Sequence, residues 1–336
     1  MACRGQDVVI VSWSKKKVDS RNLDFIRSNS LKYYGLHGNC LMKFVQFNRI
    51  IRKENTAVVL AYLTLANFVS GISRIFNKSI VTVGGIRTEK LPLVKFVAER
   101  IVHNHLNDAT IFNNYSAKNK FEQRGFNPEK IFVIHNAISM SESDRPPRSG
   151  DEISIITVAR FVRAKDFKTA LLAFKRLTDD NPDRLIKYIL VGYGPMESEI
   201  RSMIRSFGLE GKVGIVINPP NVSHYLGIAD IYLSTSLFEG LSNSLMEAMV
   251  AGLPIIATDV GDNRFLVKDG FNGYIVPLQN VDETSRKLEA LVNSDEMRKT
   301  FGDNSNKLIM NEFNEDKFIS GYIELASRFT PAFNAR

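Results

Sequence analysis

The chain has little cysteine and no long apolar run, and each shortage excludes a class of protein. Its 336 residues include two cysteines, Cys3 and Cys40, which give neither a disulfide framework nor the ligand spacing of a zinc site. No apolar stretch reaches the ~18–20 residues that a membrane-spanning helix needs, and no signal peptide is expected because the first residues lack an apolar core. Asp-x-Asp, helix-turn-helix and zinc-knuckle motifs are missing, so we expect neither a required metal ion nor a nucleic-acid partner.

The composition is that of a globular protein whose charge is unevenly distributed. Apolar residues make up 44% and charged residues 24% of a chain that is long enough for two domains. Residues 1–150 contain 23 Lys and Arg against 11 Asp and Glu, whereas residues 151–336 contain 21 against 25. The basic half favours an anionic partner, either a lipid surface or a phosphate-bearing substrate, although a basic solvated surface explains the same counts.

Short apolar runs alternate with amphipathic segments, and this pattern predicts an α/β fold with parallel sheets covered by helices on both faces. The first half is predicted to contain strands at 8–13, 57–62, 79–83, 109–112 and 130–134 and helices at 41–53, 65–76, 93–102 and 116–124. The second half is predicted to contain strands at 153–158, 186–191, 213–217, 231–235, 254–257 and 273–276. The polar, proline-containing segment 141–150 is interpreted as the linker between two domains.

One segment, residues 236–254, combines a strand-to-helix turn with two carboxylates. Gly240 breaks the chain directly after Glu239, and the residues at 242–244 are Ser, Asn and Ser, which favour the N-cap of a helix. A helix that begins there offers free N–H groups and the positive end of its dipole to a phosphate. Glu239 then lies on the loop and Glu247 about one turn into the helix. Because carboxylates are poor phosphate ligands, we predict that both accept hydrogen bonds from hydroxyl groups, such as those of a sugar and a ribose.

This segment resembles the E-x7-E signature of the retaining GT-B glycosyltransferases of family 4, with Glu239 and Glu247 as its two glutamates. Four further stretches resemble motifs of that family. They are V-A-R-F followed by K-D at 158–166, V-G-Y-G-P at 191–195, T-D-V-G-D-N at 258–263 and D-G-F-N-G-Y at 269–274. Ala159 stands where the family has glycine. Together the five motifs cover roughly residues 150–330 in the family's order, which is far more specific than one pair of glutamates.

The resemblance implies a GT-B fold, in which two Rossmann-like doubly wound domains face each other across a cleft. We expect an acceptor-side domain at 1–148, a nucleotide-sugar-binding domain at 149–312, and a C-terminal helix at 313–336 that crosses back to the first domain. Family members usually begin with a strand and a Gly-rich loop, whereas residues 2–12 of this chain resemble the end of the first helix and the second strand. The opening strand is therefore expected to be missing, and a truncated or non-catalytic partner protein is the alternative to an active enzyme.

The resemblance also implies a reaction, in which a sugar passes from a UDP-, GDP- or ADP-sugar to a lipid-linked or polysaccharide acceptor with retention of configuration. Arg160 and Lys165 would stabilise the leaving diphosphate, while Glu239 would contact the donor sugar and Glu247 the ribose. The other expected donor-binding residues lie on the same loop and helix start and on two turns; they are Gly240, Leu241, Ser242, Asn243, Ser244, Gly192 and Asn218.

A protein of this kind would be a hexosyltransferase that builds lipopolysaccharide or another cell-surface polysaccharide. It would lie in the cytoplasm, peripherally bound at the inner face of the membrane, where its basic first half meets anionic lipids. The resemblance indicates neither a cofactor nor a metal ion.

Overall fold

The computed structural model describes residues 6–13, 19–88, 90–138 and 151–330, so the predicted linker at 141–150 lies outside the described residues. The chain divides into two compact units, which we call unit 1 (residues 1–134 and 318–336) and unit 2 (residues 135–317). The sequence-based domain limits, 148 and 312, therefore differ from the limits at 134 and 317 that the contacts give.

Unit 1 contains two separate parallel sheets. Strand β1 (Val9–Ser12) pairs with β2 (Lys32–Gly35), and a second sheet has the order β3 (Val58–Tyr62), β4 (Val81–Ile86), β5 (Ala109–Phe112), β6 (Ile131–Val133). The helices between the strands are α1 (Ser20–Ser28), α2 (Cys40–Lys53), α3 (Thr64–Phe76), α4 (Leu93–Ile101) and α5 (Tyr115–Glu122). Helix α4 continues into a π-helical turn, Val102–Leu106. The sequence predicted neither α1 nor β2.

Helix α2 connects the two sheets of unit 1. The ammonium group of Lys43 donates a hydrogen bond to the backbone oxygen of Trp13, at the end of β1, over 2.6 Å. On its other side, Asn48 donates to the hydroxyl of Ser73 in α3 over 3.1 Å. Within the described ranges, β1 and β2 pair with no strand of the larger sheet.

Strand β4 extends further than the sequence predicted, because its two glycines allow close packing. The predicted strand ended at Val83, whereas β4 continues through Gly84 and Gly85 to Ile86. A Cβ atom on Gly84 would lie 2.7 Å from the side-chain nitrogen of Asn107, and one on Gly85 would lie 2.5 Å from the ring of Tyr62. Glycine here makes room for neighbouring side chains and does not form a turn.

The four-stranded sheet of unit 1 is covered on both faces. The last helix of the structure, α13 (Glu315–Phe329), packs Tyr322 and Leu325 against Val83 and Ile111 on one face. On the other face lies an aromatic cluster formed by Phe96, Phe112, Phe121 and Phe126.

Unit 2 is a single six-stranded parallel sheet with the order β12-β11-β10-β7-β8-β9. Its strands are β7 (Ile153–Val158), β8 (Ile186–Gly192), β9 (Val213–Ile217), β10 (Ile231–Ser234), β11 (Ile255–Thr258) and β12 (Gly273–Val276). Its helices are α6 (Phe167–Asp180), α7 (Glu197–Ser206), α8 (Val222–Ile228), α9 (Asn243–Val250), α10 (Asn263–Leu266), α11 (Val281–Val292) and α12 (Asp295–Glu312). All six strands correspond to predicted ones.

Both faces of this sheet are apolar, as expected for a parallel sheet between two helix layers. Ile155 belongs to a core that includes Phe174 on one face, and the next residue, Ile156, belongs to a core that includes Leu245 on the other. The strand order reverses between β7 and β10, which are neighbours although they are far apart in the chain. Such a reversal leaves a crevice at the carboxyl ends of the two strands, where α/β proteins commonly bind ligands.

Across the described ranges, no helix has the length and apolar character needed to span a membrane.

The burial of His103 should make the stability of unit 1 depend on pH. Its ring is hydrogen-bonded to the Thr110 hydroxyl over 2.8 Å and to the Asn127 oxygen over 3.0 Å, and burial lowers its pKa to about 4. As the pH falls, His103 is therefore protonated at a higher pH in the unfolded chain than in the folded chain. Its contribution to the free energy of unfolding is complete above about pH 6.5 and is lost as the pH falls towards 4. Between these values, the free energy of unfolding should fall by up to about 3 kcal/mol more in the wild type than in His103→Gln.

Urea denaturation followed by circular dichroism measures this effect, since it reports loss of the helices and strands around His103. His224→Gln is the control, because His224 is exposed and its loss should leave the pH dependence unchanged. Equal pH dependence in the wild type and His103→Gln would contradict the assignment.

Candidate functional site

The predicted catalytic residues follow β7 and β10, the two strands between which the strand order reverses. Arg160 and Lys165 lie on the loop after β7, and Glu239 lies on the loop after β10. The crevice of unit 2 is therefore bordered by two cations and a carboxylate that are distant in the sequence.

Hydrogen bonds join these two loops directly. The backbone N–H of Leu237 donates to the oxygen of Ala164 over 2.8 Å. The hydroxyl of Thr235 donates to the backbone oxygens of Lys165 and Asp166 over 3.1 and 3.0 Å. The loop that carries Glu239 thus has a fixed position relative to the loop that carries Lys165.

Lys165 and Glu239 form an ion pair across this junction. The ammonium group of Lys165 contacts Oε1 of Glu239, and the two side chains are only 19% and 13% exposed. The Ser236 hydroxyl donates to the same Oε1 over 2.7 Å. Oε2 accepts no hydrogen bond from the described residues, so it is the oxygen that a ligand hydroxyl could reach. Arg160 is exposed and has no ion pair within the described part of the chain.

The turn at 258–263 supports the Glu239 loop from behind. Gly261 has φ +54°, and a Cβ atom there would lie 2.1 Å from the backbone oxygen of Glu239. Thr258 donates its hydroxyl proton to the oxygen of Ser236 over 2.6 Å, and the N–H of Asp262 donates to the oxygen of Gly240 over 3.2 Å. This motif therefore has a structural role in holding the carboxylate.

A second glycine turn supports the Arg160 loop in the same way. A Cβ atom on Gly192 would lie 1.9 Å from the oxygen of Ala159, the residue before Arg160. The N–H of Ala159 donates to the oxygen of Val191 over 3.0 Å, and the N–H of Asn218 donates to the oxygen of Gly192 over 3.2 Å. Gly192 and Asn218 lie at the carboxyl ends of β8 and β9, and these contacts are made by their backbones.

Helix α9 begins next to Glu239 without a side-chain cap. Ser242 occupies the N-cap position, but its hydroxyl lies 3.3 Å from the hydroxyl of Ser244 and accepts no helix N–H. Leu241 is buried against the unit 2 core and anchors the turn, while Asn243 at the first helical position is exposed. Because the first N–H groups of a helix have no acceptor within it, this end can bind an anion.

Glu247 lies one turn into α9, and its carboxylate accepts no hydrogen bond from the described residues. Surrounding protein atoms partly desolvate its carboxyl group and raise its pKa. Nearby, the buried hydroxyl of Tyr232 donates to the oxygen of Val158 over 3.1 Å. Burial raises the pKa of Tyr232, and the charges of Glu239 and Glu247 add to this effect.

Sequence reasoning assigned no role to Ser236 or Tyr232. Ser236 precedes Glu239 by three residues in a turn, and this spacing is the signal that could have identified it as a partner. Tyr232 lies in an apolar run, and nothing in the surrounding sequence indicates that it belongs to the site.

The arrangement is suited to a ligand that carries both phosphate and hydroxyl groups. Arg160, Lys165 and the start of α9 supply positive charge and N–H donors, while Glu239 and Glu247 supply acceptors for hydroxyl groups. In the described residues, no group of three or more His, Cys, Asp or Glu side chains could hold a metal ion.

Residues 140–308 match the family profile described as "Glycosyl transferases group 1". The chain is 22% identical over 283 residues to the N-acetylgalactosamine-N,N'-diacetylbacillosaminyl-diphospho-undecaprenol 4-alpha-N-acetylgalactosaminyltransferase of Campylobacter jejuni, covering 78% of this chain and 76% of that protein. It is 26% identical over 206 residues to the poly(ribitol-phosphate) alpha-N-acetylglucosaminyltransferase of Staphylococcus aureus, covering 60% of this chain but only 40% of that protein.

Solved structures of glycosyltransferases share the fold over nearly the whole chain. The Anabaena protein HepE in complex with UDP superposes with a TM-score of 0.78 at 15% identity, covering 97% of this chain and all of that one. A glycosyltransferase from Rickettsia africae gives a TM-score of 0.81 at 14% identity, covering 98% of this chain and 91% of that one. The α/β fold of the GT-B type expected from the sequence is thereby confirmed.

The support of Glu239 by Gly261 can be tested with two matched alanine substitutions. Gly261→Ala places a methyl group against the Glu239 backbone, whereas Gly270→Ala has the same type of backbone strain (φ +72°) and no atom within 4 Å. We expect Gly270→Ala to lower the free energy of unfolding of unit 2 by about 1–2 kcal/mol and Gly261→Ala by about 1–3 kcal/mol more. Chemical denaturation followed by circular dichroism measures both, and equal losses would contradict the packing role.

Proposed function

Because the chain belongs to the group 1 family of glycosyl transferases, we propose that it transfers a sugar from a nucleoside-diphosphate sugar to a lipid-linked or polysaccharide acceptor. The observation that carries this proposal is the ion pair of Lys165 and Glu239 beside the uncapped start of α9. The names of the two relatives above refer to an undecaprenol diphosphate and to a poly(ribitol phosphate), which supports an acceptor used in cell-surface glycan synthesis.

In this proposal the donor lies in the crevice at the carboxyl ends of β7 and β10. Its diphosphate receives hydrogen bonds from the N–H groups at the start of α9 and positive charge from Arg160 and Lys165. Glu247 accepts hydrogen bonds from the ribose hydroxyls, and Oε2 of Glu239 accepts one from the sugar. The UDP bound to the Anabaena protein makes a uridine nucleotide the first donor to test.

We propose that the reaction retains the anomeric configuration. The bond between the sugar C1 and the diphosphate oxygen breaks, and the acceptor hydroxyl oxygen bonds to C1 on the face that the diphosphate leaves. The hydroxyl proton passes to the departing diphosphate, and Arg160 and Lys165 stabilise the charge that develops there. The ion pair with Lys165 and the hydrogen bond from Ser236 hold the Glu239 carboxylate on its loop, so we assign it to positioning the sugar and not to nucleophilic attack.

A lipid-linked acceptor places the enzyme at a membrane, and we propose peripheral binding at the cytoplasmic face. The excess of Lys and Arg in residues 1–150 supports an anionic lipid surface as the partner. Of the possible transferred groups, we propose a hexose or an N-acetylhexosamine; the names of the two relatives give the second.

The donor site can be tested by thermal stability in the presence of UDP-, GDP- and ADP-sugars. A ligand that binds only the folded state at 100 times its Kd stabilises it by about 2.7 kcal/mol, so one nucleotide class should raise the Tm by several degrees. Glu247→Ala should abolish this rise, and Glu199→Ala, an exposed glutamate on α7, should not. A folded wild-type chain whose Tm responds to none of these donors would refute the proposed donor site.

The role of Arg160 can be tested against a neighbour on the same loop. Release of the nucleoside diphosphate from the identified donor measures turnover, and Arg160→Ala should lower it by about 10²–10³-fold because transition-state charge loses a partner. Arg163→Ala removes an exposed arginine from the same loop and should leave turnover near the wild-type value. If both variants turn over equally, Arg160 has no specific part in the reaction.

A further inference from the structure

Helices α3 and α4 of unit 1 expose most of their large apolar side chains and bury several polar ones together with Val69 and Phe96. Helix α4 buries the carboxylate of Glu99, yet Leu93 and Val94 on its outer side are 70% and 82% exposed. Helix α3 buries Asn67, Ser70 and Ser73 in the same way. The exposed apolar residues of the two helices, which we call the apolar face, are Leu65, Phe68, Ile75, Phe76, Leu93, Val94, Val97 and Ile101.

The polar sides of these helices are held against the sheet by specific hydrogen bonds. The side-chain nitrogen of Asn67 donates to both carboxylate oxygens of Glu99 over 3.1 Å, and its oxygen accepts from the N–H of Gly85 over 3.2 Å. A Cβ atom on Gly71 would lie 2.8 Å from Leu106, so α3 also packs too closely for a larger side chain. Turning either helix over would break this buried network, which fixes the apolar face on the outside.

The two helices lie on the same face of the sheet. They connect β3 to β4 and β4 to β5, which are neighbours in that order. Successive right-handed crossovers in one direction place their helices side by side on one face. Monomeric proteins rarely expose a contiguous apolar patch of more than a few hundred Å², and a larger patch marks an interaction surface.

Positive charge accompanies the apolar face. Residues 40–101 contain ten Lys and Arg but only three Asp and Glu; of the basic residues, Lys43 is buried and Arg74 pairs with Asp108. Of these three acids, Glu99 is buried and Glu54 forms an ion pair with Lys32. Lys78, just after α3, and Lys95, within α4, are exposed and have no ion pair in the described part of the chain.

We propose that the apolar face docks unit 1 onto a bilayer that contains anionic lipids. The outer apolar side chains enter the boundary of the acyl chains, and the lysines remain among the headgroups, as in helices that lie in the plane of a membrane. Each basic residue near an anionic surface strengthens binding about fivefold, so the charge complements the apolar contact. The apolar face would thus be the membrane-binding surface of the proposed glycosyltransferase, and the location at a membrane rests on that proposed function. The docking itself does not depend on the donor chemistry.

Flotation of the full chain with lipid vesicles tests the docking. Vesicles of phosphatidylcholine with about one third phosphatidylglycerol should bind the wild type at least about tenfold more strongly than phosphatidylcholine alone. The double variant Leu93→Ser/Val94→Ser should weaken that binding at least about tenfold, because two aliphatic side chains leave the apolar phase. The control Leu185→Ser/Phe271→Ser removes two exposed apolar side chains from unit 2 and should bind as the wild type does.

Vesicle binding, sedimentation and the donor-induced rise in Tm together decide whether the docking holds. Absence of wild-type binding to the anionic vesicles, or equal binding by the wild type and the Leu93/Val94 variant, overturns the docking. Sedimentation that shows self-association which this variant abolishes, without vesicle binding, assigns the apolar face to a second copy and also overturns it. The donor-induced rise in Tm, measured in the same samples, is expected to persist in the variant, which excludes unfolding as the cause of lost binding. Vesicle binding without any donor response would keep the docking and refute the donor site.

Discussion

The hydrogen bonds between the loops after β7 and β10 are the constraint on which the candidate site depends. Leu237 and Thr235 join the second loop to the first, and this junction brings Lys165 within contact of Glu239. A pair of charges with so little exposure loses hydration on both sides, so its geometry must be good for it to be stable. The two glycine turns support that geometry, since the backbones of Gly192 and Gly261 lie too close to Ala159 and Glu239 for a larger residue to fit.

Much of unit 2 could be predicted because its strands are continuous apolar runs and its site residues follow them directly. The contacts of Ser236 and Tyr232 could not be predicted, because a hydroxyl finds its partner according to which loops meet in space. In unit 1, the predicted strand ended at Val83, whereas β4 continues through Gly84 and Gly85, which make room for Asn107 and Tyr62. Helix α1 and strand β2 were missed, since Lys32–Gly35 has only two side chains typical of a strand.

The two units have the same α/β architecture, but they differ in how polar the side chains are between the sheet and one of its helix layers. In unit 2 both faces of the sheet meet apolar helix sides, as Ile155 and Ile156 illustrate. In unit 1 the layer under α3 contains Asn67, Glu99 and the small residue Gly71 beside the apolar Val69 and Phe96, and most aliphatic side chains of the two helices are exposed. Periodicity locates such helices correctly from the sequence, but it cannot say which of the two sides faces the sheet, because both orientations have the same 3.6-residue repeat.

The small sheet of unit 1 has a consequence for how the protein opens. Two strands alone are barely stable in water, so β1 and β2 depend on α2, which reaches β1 through Lys43 and α3 through Asn48. Fluctuations that release α2 would separate this region while the four-stranded sheet stays intact. Backbone amides of β1 and β2 would then exchange with solvent well before those of β4 and β5, and a protease would find its first cleavage points there.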